Sequence, residues 1–259
     1  MSFTVNSKNR GVLPRGLVLP ALLLGVWQYL STLGPGYAYA FVPLGSIGHS
    51  LLELIASGEL PRHGYASVGT ALKSLCIGGT LGILLGSLMA LSRVADVVIG
   101  PLYHALRQVP TLGLIPLIGL WFGNTELSKI VVVSIASFEV MTLNTYEGLR
   151  GVENRFLEVG RVLTFSRAQL FFRVLLPVAI PSITTGLMHA VAFAWLATVG
   201  VELLFTVGPG LSVIMERAQL AERMDIVIIC ILFIGLLGLL MNQVCVWLGR
   251  RLQPWRRTQ

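Results

Sequence analysis

The sequence predicts an all-α polytopic membrane protein with six transmembrane helices, and three observations carry the prediction. Of its 259 residues, 54% are hydrophobic and 12% charged, about half the charged fraction of an ordinary soluble domain. The apolar residues gather into six runs, each near the roughly 20 residues that a helical bilayer span requires. The runs are continuous instead of alternating with period two, which selects helices over a barrel. A soluble fold of this composition would expose apolar patches larger than water-soluble surfaces carry.

The first run, Gly16 to Leu33, follows Lys8, Arg10 and Arg15. With the small-residue triplet Ala38-Tyr39-Ala40 it resembles a secretory leader. The run is long, however, and the triplet lies well beyond it, so an uncleaved anchor is expected. The second run, Ser74 to Ser92, repeats Gly78, Gly82 and Gly86 at every fourth residue. That spacing makes one helix face on which a neighbouring backbone can approach closely. The third, Gln108 to Thr125, carries Pro110 and Pro116 and follows a half-polar stretch with His104 and Arg107, so a broken helix is expected. Ile130 to Tyr146 is the fourth, interrupted near its middle by Glu139. Val174 to Val201 is charge-free, with Pro177 and Pro181 in its first turns. Ile226 to Leu248 is the most uniformly apolar, and Arg250 and Arg251 follow it. The cysteines Cys76, Cys230 and Cys245 fall inside apolar runs without metal-site spacing and read as buried small hydrophobes.

Charge sets the expected orientation. With the N-terminus inside, Lys8, Arg10, Arg15, Arg93, Arg107, Arg150, Arg155, Arg161, Arg167, Arg173, Arg250, Arg251, Arg256 and Arg257 face the cytoplasm, which is 14 of the 19 basic residues. Outside remain Arg62, Lys73, Lys129, Arg217 and Arg223, with Glu53, Glu59, Glu126, Glu202, Glu216, Glu222 and Asp225. The positive-inside rule therefore selects a multi-pass topology with both termini cytoplasmic. It also explains the net charge of +7 without a nucleic-acid partner.

The cytoplasmic segment 150–173 is the most informative part of the chain. Asn154 to Leu163 fits one short helix, and Thr164-Phe165-Ser166 interrupts it. Ser166 and Gln169 have the S-x-x-Q spacing of a capping box that opens a second helix, expected to end at Leu175-Leu176-Pro177. The bend displays Arg161 and Arg167 with Phe165, Leu170 and Phe171 beside it, a knob suited to a groove on another protein.

Here the chain resembles the permease subunits of ABC importers. Glu158-Val159-Gly160, Thr164 and Val174-Leu175-Leu176-Pro177 occupy the spacing of the EAA motif, E-A-A-x3-G-x9-I-x-L-P, with Val159, Gly160 and Thr164 replacing its alanines and glycine. Arg107-Gln108-Val109-Pro110, Leu114-Ile115-Pro116-Leu117, Leu120-Trp121-Phe122-Gly123, Ser128-Lys129-Ile130 and Asn144-Thr145 extend the likeness toward permeases for aliphatic sulfonates, taurine and nitrate. The resemblance implies a type I importer fold with a MetI-like core over 66–250. Residues 1–65 would form the N-terminus, first span and external segment, and 251–259 a basic tail. It implies a homodimer in the bacterial inner membrane, two cytoplasmic ATPase subunits carrying ATP and Mg, and an external substrate-binding protein. Coupling would fall to Glu158, Val159, Gly160, Arg161, Thr164, Phe165, Ser166, Arg167 and Leu170. Glu139, Asn144, Trp121, Gly208 and Gly210 are candidates for the pathway or gate. The cargo would be a small anion, an aliphatic sulfonate or taurine first, nitrate or bicarbonate next.

The residues alone agree with a division of labour. No G-x-x-x-x-G-K-[ST] phosphate loop occurs, and none of Lys8, Lys73 and Lys129 follows a glycine, so ATP hydrolysis is expected on a partner chain, with no cofactor or metal held here. An ion-gradient-driven transporter is the alternative, with Glu139 as its intramembrane carboxylate. Against it, Glu139 lacks an evident basic partner at its depth, and a hydrogen-bonded group near Thr142 or Asn144 is an equal reading. An enzyme is disfavoured, because His49, His63, His104 and His189 are scattered and no H-E-x-x-H occurs.

Overall fold

Length and polarity decide how the runs assemble. Residues 12–252 are described by the computed structural model, and every regular element among them is helical. The chain runs through α1 (Val12–Ser31), α2 (Pro35–Ala40), α3 (Leu44–Ala56), α4 (Glu59–Leu91), α5 (Arg93–Leu106), a 3-10 turn (Thr111–Leu114) and α6 (Ile115–Phe122). It continues through α7 (Glu126–Arg150), α8 (Asn154–Val162), α9 (Arg167–Leu170), a π turn (Phe171–Leu175), α10 (Leu176–Leu204), α11 (Leu211–Leu220) and α12 (Met224–Leu252).

Among the described residues three helices are long and apolar enough to cross a bilayer, namely Glu59–Leu91, Arg167–Leu204 and Met224–Arg251. The pair α5 and the 3-10/α6 segment, bent by 85°, forms a fourth such unit. α1 and α7, with 20 and 25 residues, reach about 30 Å and 37 Å at 1.5 Å per residue, a hydrocarbon thickness or more.

α7 is the most polar of these helices, and it packs between α4 and α10. That placement follows from its residues. Ser128, Lys129, Ser137, Thr142 and Thr145 are all buried, and lipid offers such groups no partner. Close approach is built in from both sides. A Cβ on Gly82 of α4 would lie 2.7 Å from Met141 Cβ and 2.9 Å from the Phe138 carbonyl, and one on Gly86 would lie 2.6 Å from the Thr142 carbonyl. Gly78 likewise meets the Ser134 backbone and Ser137. On the other flank a Cβ on Gly186 would lie 2.5 Å from Asn144 Cβ. Two apolar clusters complete the core. One joins α6, α7 and α10 through Ile115, Ile118, Val132, Val133, Ala194 and Val201. The other joins α3, α4, α10 and α12 through Leu54, Leu60, Trp195 and Ile229.

The structure revises several expectations from sequence. The second hydrophobic helix begins at Glu59, not Ser74, since nothing between Pro61 and Lys73 breaks it. The third region starts at Arg93. Gln108 to Thr125 is a 3-10 turn followed by the eight-residue α6, because Pro110 denies Val109 the helical region while Pro116 sits in a first turn where no N–H is needed. The second helix of segment 150–173 does not end at Leu175-Leu176-Pro177 but runs on to Leu204. Its π turn lies just before Pro177, widening the helix where the proline ring would otherwise crowd the preceding turn. Of the three cysteines, Cys76 is exposed on the outer face of α4, Cys245 is half-buried and Cys230 is buried. Lys8, Arg10, Arg256 and Arg257 lie outside the described residues, as does the side chain of Arg15.

Candidate coupling loop and polar cavity

The segment between α7 and α10 turns a corner at Thr164. α8 ends with Thr164 in the left-handed region at φ 53°, and the Phe165 N–H donates to the Gly160 carbonyl across five residues at 3.0 Å. This is a Schellman closure with a β-branched residue in the place that usually holds glycine. The capping box of α9 is complete. The Gln169 N–H donates to Ser166 Oγ at 3.3 Å, and the Ser166 N–H donates to Gln169 Oε1 at 2.9 Å.

Gly160 lets α8 and α9 touch, since a Cβ there would lie 2.5 Å from Leu170 Cδ1 and 3.6 Å from the Phe165 ring. Leu170 thus anchors on α8. Phe165 is half-buried, with the Arg173 guanidinium 5.6 Å above its ring. The open apolar surface lies elsewhere, on Val159, Val162 and Leu163, exposed by 58%, 82% and 54%. Glu158, Arg167 and Ser166 are also exposed, and the side chain of Arg161 lies outside the described residues. Val162 and Leu163 escape the motif because they fall in its variable positions.

Near the middle of α7, Glu139 is fastened to the bend between α5 and α6. Thr111 donates its hydroxyl to Glu139 Oε2 at 3.3 Å, and the Tyr103 hydroxyl donates to the Glu139 carbonyl at 2.6 Å. The expected partners Thr142 and Asn144 are instead turned to their own helix, donating to the Phe138 and Val140 carbonyls. Glu139 and Asn144 line one cavity of about 340 Å³ together with Arg107, Val140, Leu143, His189 and Phe193. Basic groups therefore do share its depth, contrary to the expectation from sequence. Trp121 does not line it and stands 66% exposed on α6.

Gly208 and Gly210 lie at the other end of α10, about 43 Å from its start by helical rise. Gly208 has φ +70°, and a Cβ there would strike Glu126 Oε1 at 2.8 Å. Around Gly210 a buried polar network converges. Ser67 donates to Glu202 Oε1 at 2.6 Å, the Ser212 N–H donates to Glu202 Oε2 at 3.2 Å, and the Leu211 N–H donates to Ser67 Oγ at 3.0 Å. The Gly210 N–H donates to His63 Nδ1 at 3.0 Å, and the Lys129 ammonium donates to the Val207 carbonyl. Glu202 and Lys129, expected on the outer surface, are 2% and 3% exposed. Each is satisfied by a partner remote in sequence, which is what makes their burial tolerable.

Residues 78–254 match the family described as "Binding-protein-dependent transport system inner membrane component". A Bacillus subtilis (strain 168) protein bearing the name of an aliphatic sulfonates transport permease, SsuC, is 34% identical over 244 residues, covering 94% of this chain and 88% of its own. Its Escherichia coli (strain K12) namesake is 32% identical over 92% of this chain and 90% of its own. The bicarbonate transport system permease protein CmpB of Synechococcus elongatus is 28% identical over 91% and 89%. In fold, a chain of the MetNI methionine ABC transporter superposes with a TM-score of 0.62 at 15% identity, over 76% of this chain and 97% of that one. A chain of an amino acid ABC transporter reaches 0.64 at 17%, over 78% and 97%.

Proposed function

The chain belongs to the binding-protein-dependent transport system inner membrane component family, and from that premise we propose that it is the membrane subunit of an ATP-driven importer for a small organic or inorganic oxyanion. Two copies would form the pore, two cytoplasmic ATPases carrying ATP and Mg would drive it, and an external binding protein would deliver the cargo. Both termini would face the cytoplasm of a bacterial cell, as the arginine distribution favours.

One observation carries the coupling assignment. The corner at Thr164 joins α8, with its open Val159, Val162 and Leu163, to a helix that continues unbroken from Arg167 to Leu204. A push on the corner is thus delivered along the whole depth of the bundle. The cargo is assigned from relatives named for aliphatic sulfonates and for bicarbonate, which share a compact anionic head, with an aliphatic sulfonate or taurine first and nitrate or bicarbonate next.

The test is uptake into proteoliposomes holding the permease, its ATPases and binding protein. ATP-dependent accumulation of an alkanesulfonate is expected, with none by the permease alone. Gradient-driven uptake by the permease alone would favour the ion-coupled reading through Glu139.

A further inference from the structure

The cavity between the bend and α10 is lined by a guanidinium and a carboxyl group that form no ion pair with each other. Arg107 caps α5 at the edge of the break, its N–H donating to the Tyr103 carbonyl at 3.1 Å. Its guanidinium is half-buried and donates to no protein acceptor among the described residues, although it lines the same cavity as Glu139. Glu139 offers one carboxylate oxygen to Thr111, and its other oxygen receives no protein donor among the described residues. No ion pair within 4 Å joins the two. Asn144 donates its side-chain N–H to the Val140 carbonyl at 2.9 Å and its backbone carbonyl accepts from Ser182, while its side-chain Oδ1 and the His189 ring have no partner among the described residues.

A guanidinium and a carboxylate in so small a space normally close on each other. Here they are kept apart because they sit on different elements, the end of α5 and the middle of α7, and because Thr111 draws the carboxylate toward the bend. Val140, Leu143 and Phe193 supply the apolar part of the lining. The volume, about 340 Å³, is at the small end for ligand sites.

Resting on the importer reading above, we propose that this cavity is a transit site within the permease for a short dipolar sulfonate, an aminoalkanesulfonate. Its anionic head lies on Arg107 and His189, its methylenes lie on the apolar lining, and its ammonium donates to Glu139 and Asn144 Oδ1. A simple monoanion satisfies Arg107 but meets the charge of Glu139, so the site discriminates by the presence of the amine. Selection is then shared by the pore instead of resting wholly with the delivering protein.

The experiment uses the permease assembled with its ATPases in lipid nanodiscs, without binding protein, and measures equilibrium binding of 2-aminoethanesulfonate and ethanesulfonate. The amine-bearing probe is expected to bind at least tenfold tighter. Glu139→Gln, which keeps an acceptor for Thr111, should bring the two probes within about threefold of each other. Arg107→Ala should weaken both at least tenfold, and Arg107→Gln serves the same purpose if the alanine variant fails to assemble. Equal binding of the probes by the unaltered protein, no saturable binding, or unchanged binding in the Arg107 variants would each overturn the site. ATP-driven uptake is measured in parallel in proteoliposomes that hold the permease, its ATPases and the binding protein. Uptake that persists while the binding result fails removes the transit site and leaves the importer standing, whereas no ATP-driven uptake by the unaltered complex overturns the importer reading and the transit role with it.

Discussion

Ser67 donates its hydroxyl to Glu202 across 2.6 Å, joining α4 to the last turn of α10 over 135 residues of chain. The other Glu202 oxygen holds the first turn of α11 through the Ser212 N–H. One carboxylate therefore ties three helices at the Gly-Pro-Gly end of the bundle. Glu202→Ala leaves a buried hydroxyl and a helix N-terminus without their acceptor, and is expected to cost about 3 kcal/mol. Glu202→Gln, which keeps one acceptor oxygen, should cost less. The melting temperature of the purified permease checks this, and no change on Glu202→Ala would show that the network adds nothing to stability.

The α4 glycines permit a contrast within one helix. A Cβ on Gly82 meets the Met141 Cβ and the Phe138 carbonyl, while one on Gly69 meets nothing within 4 Å. Gly82→Ala is therefore expected to destabilise by about 1–3 kcal/mol through overpacking. Gly69→Ala should be neutral or stabilising by roughly 0.5–1 kcal/mol, since alanine favours the helix. Equal effects at the two positions would contradict the packing account.

At the corner between α8 and α9, Thr164 holds a left-handed backbone that costs a β-branched residue roughly 1–2 kcal/mol. Thr164→Gly should return about 1 kcal/mol of that, once the greater freedom of glycine in the unfolded chain is deducted. Gly160→Ala should act in the opposite sense by pressing on Leu170. Proteolytic nicking of the 154–170 segment gives a direct readout, slower for the first variant and faster for the second.

On the proposed importer reading, the open apolar residues of α8 and the adjoining Leu163 mark where a partner ATPase would dock. Val162→Asp with Leu163→Asp should lower ATPase co-purification at least tenfold, as expected when charges replace the centre of an apolar contact. Phe165→Ala, which removes a half-buried ring and its Arg173 contact, should weaken assembly or uncouple hydrolysis by about 2 kcal/mol. Arg161→Ala should do so more mildly. Insertion should be unaffected, because none of these residues lies in a hydrophobic run. Retained co-purification and normal substrate-stimulated hydrolysis in the Val162, Leu163 double variant would place the contact elsewhere.

Local signals in the sequence transferred well to the structure. The Ser166-x-x-Gln169 box and the stop at Thr164 depend on residues within one turn of each other, and both were legible as spacing. The break at Pro110 was legible for the same reason, since proline acts on its own neighbours. What escaped depends on distance. Glu202 reads as a surface acid from its neighbours in the chain, and only the folded position of Ser67 explains its burial. Arg107 reads as one more cytoplasmic arginine, and only the 85° bend brings it to the cavity of Glu139. The π turn was hidden because no residue type encodes it, although Pro177 marked its neighbourhood.

That π turn sets how the corner at Thr164 is joined to the long helix that follows it. Five residues, Phe171–Leu175, are wound more loosely than the helix on either side, so the rod keeps its direction while its faces are rotated across the joint. A helix advances about 100° per residue. Because a π ring closes over one residue more than an α ring, removing one residue from the joint would let it close as an ordinary α turn with Ser166, Phe165 and α8 facing nearly as before, whereas removing one from the α-helix beyond it would swing them by about 100° around the axis. The chain could still insert in either case, but only the second would turn the corner toward a different side of the bundle.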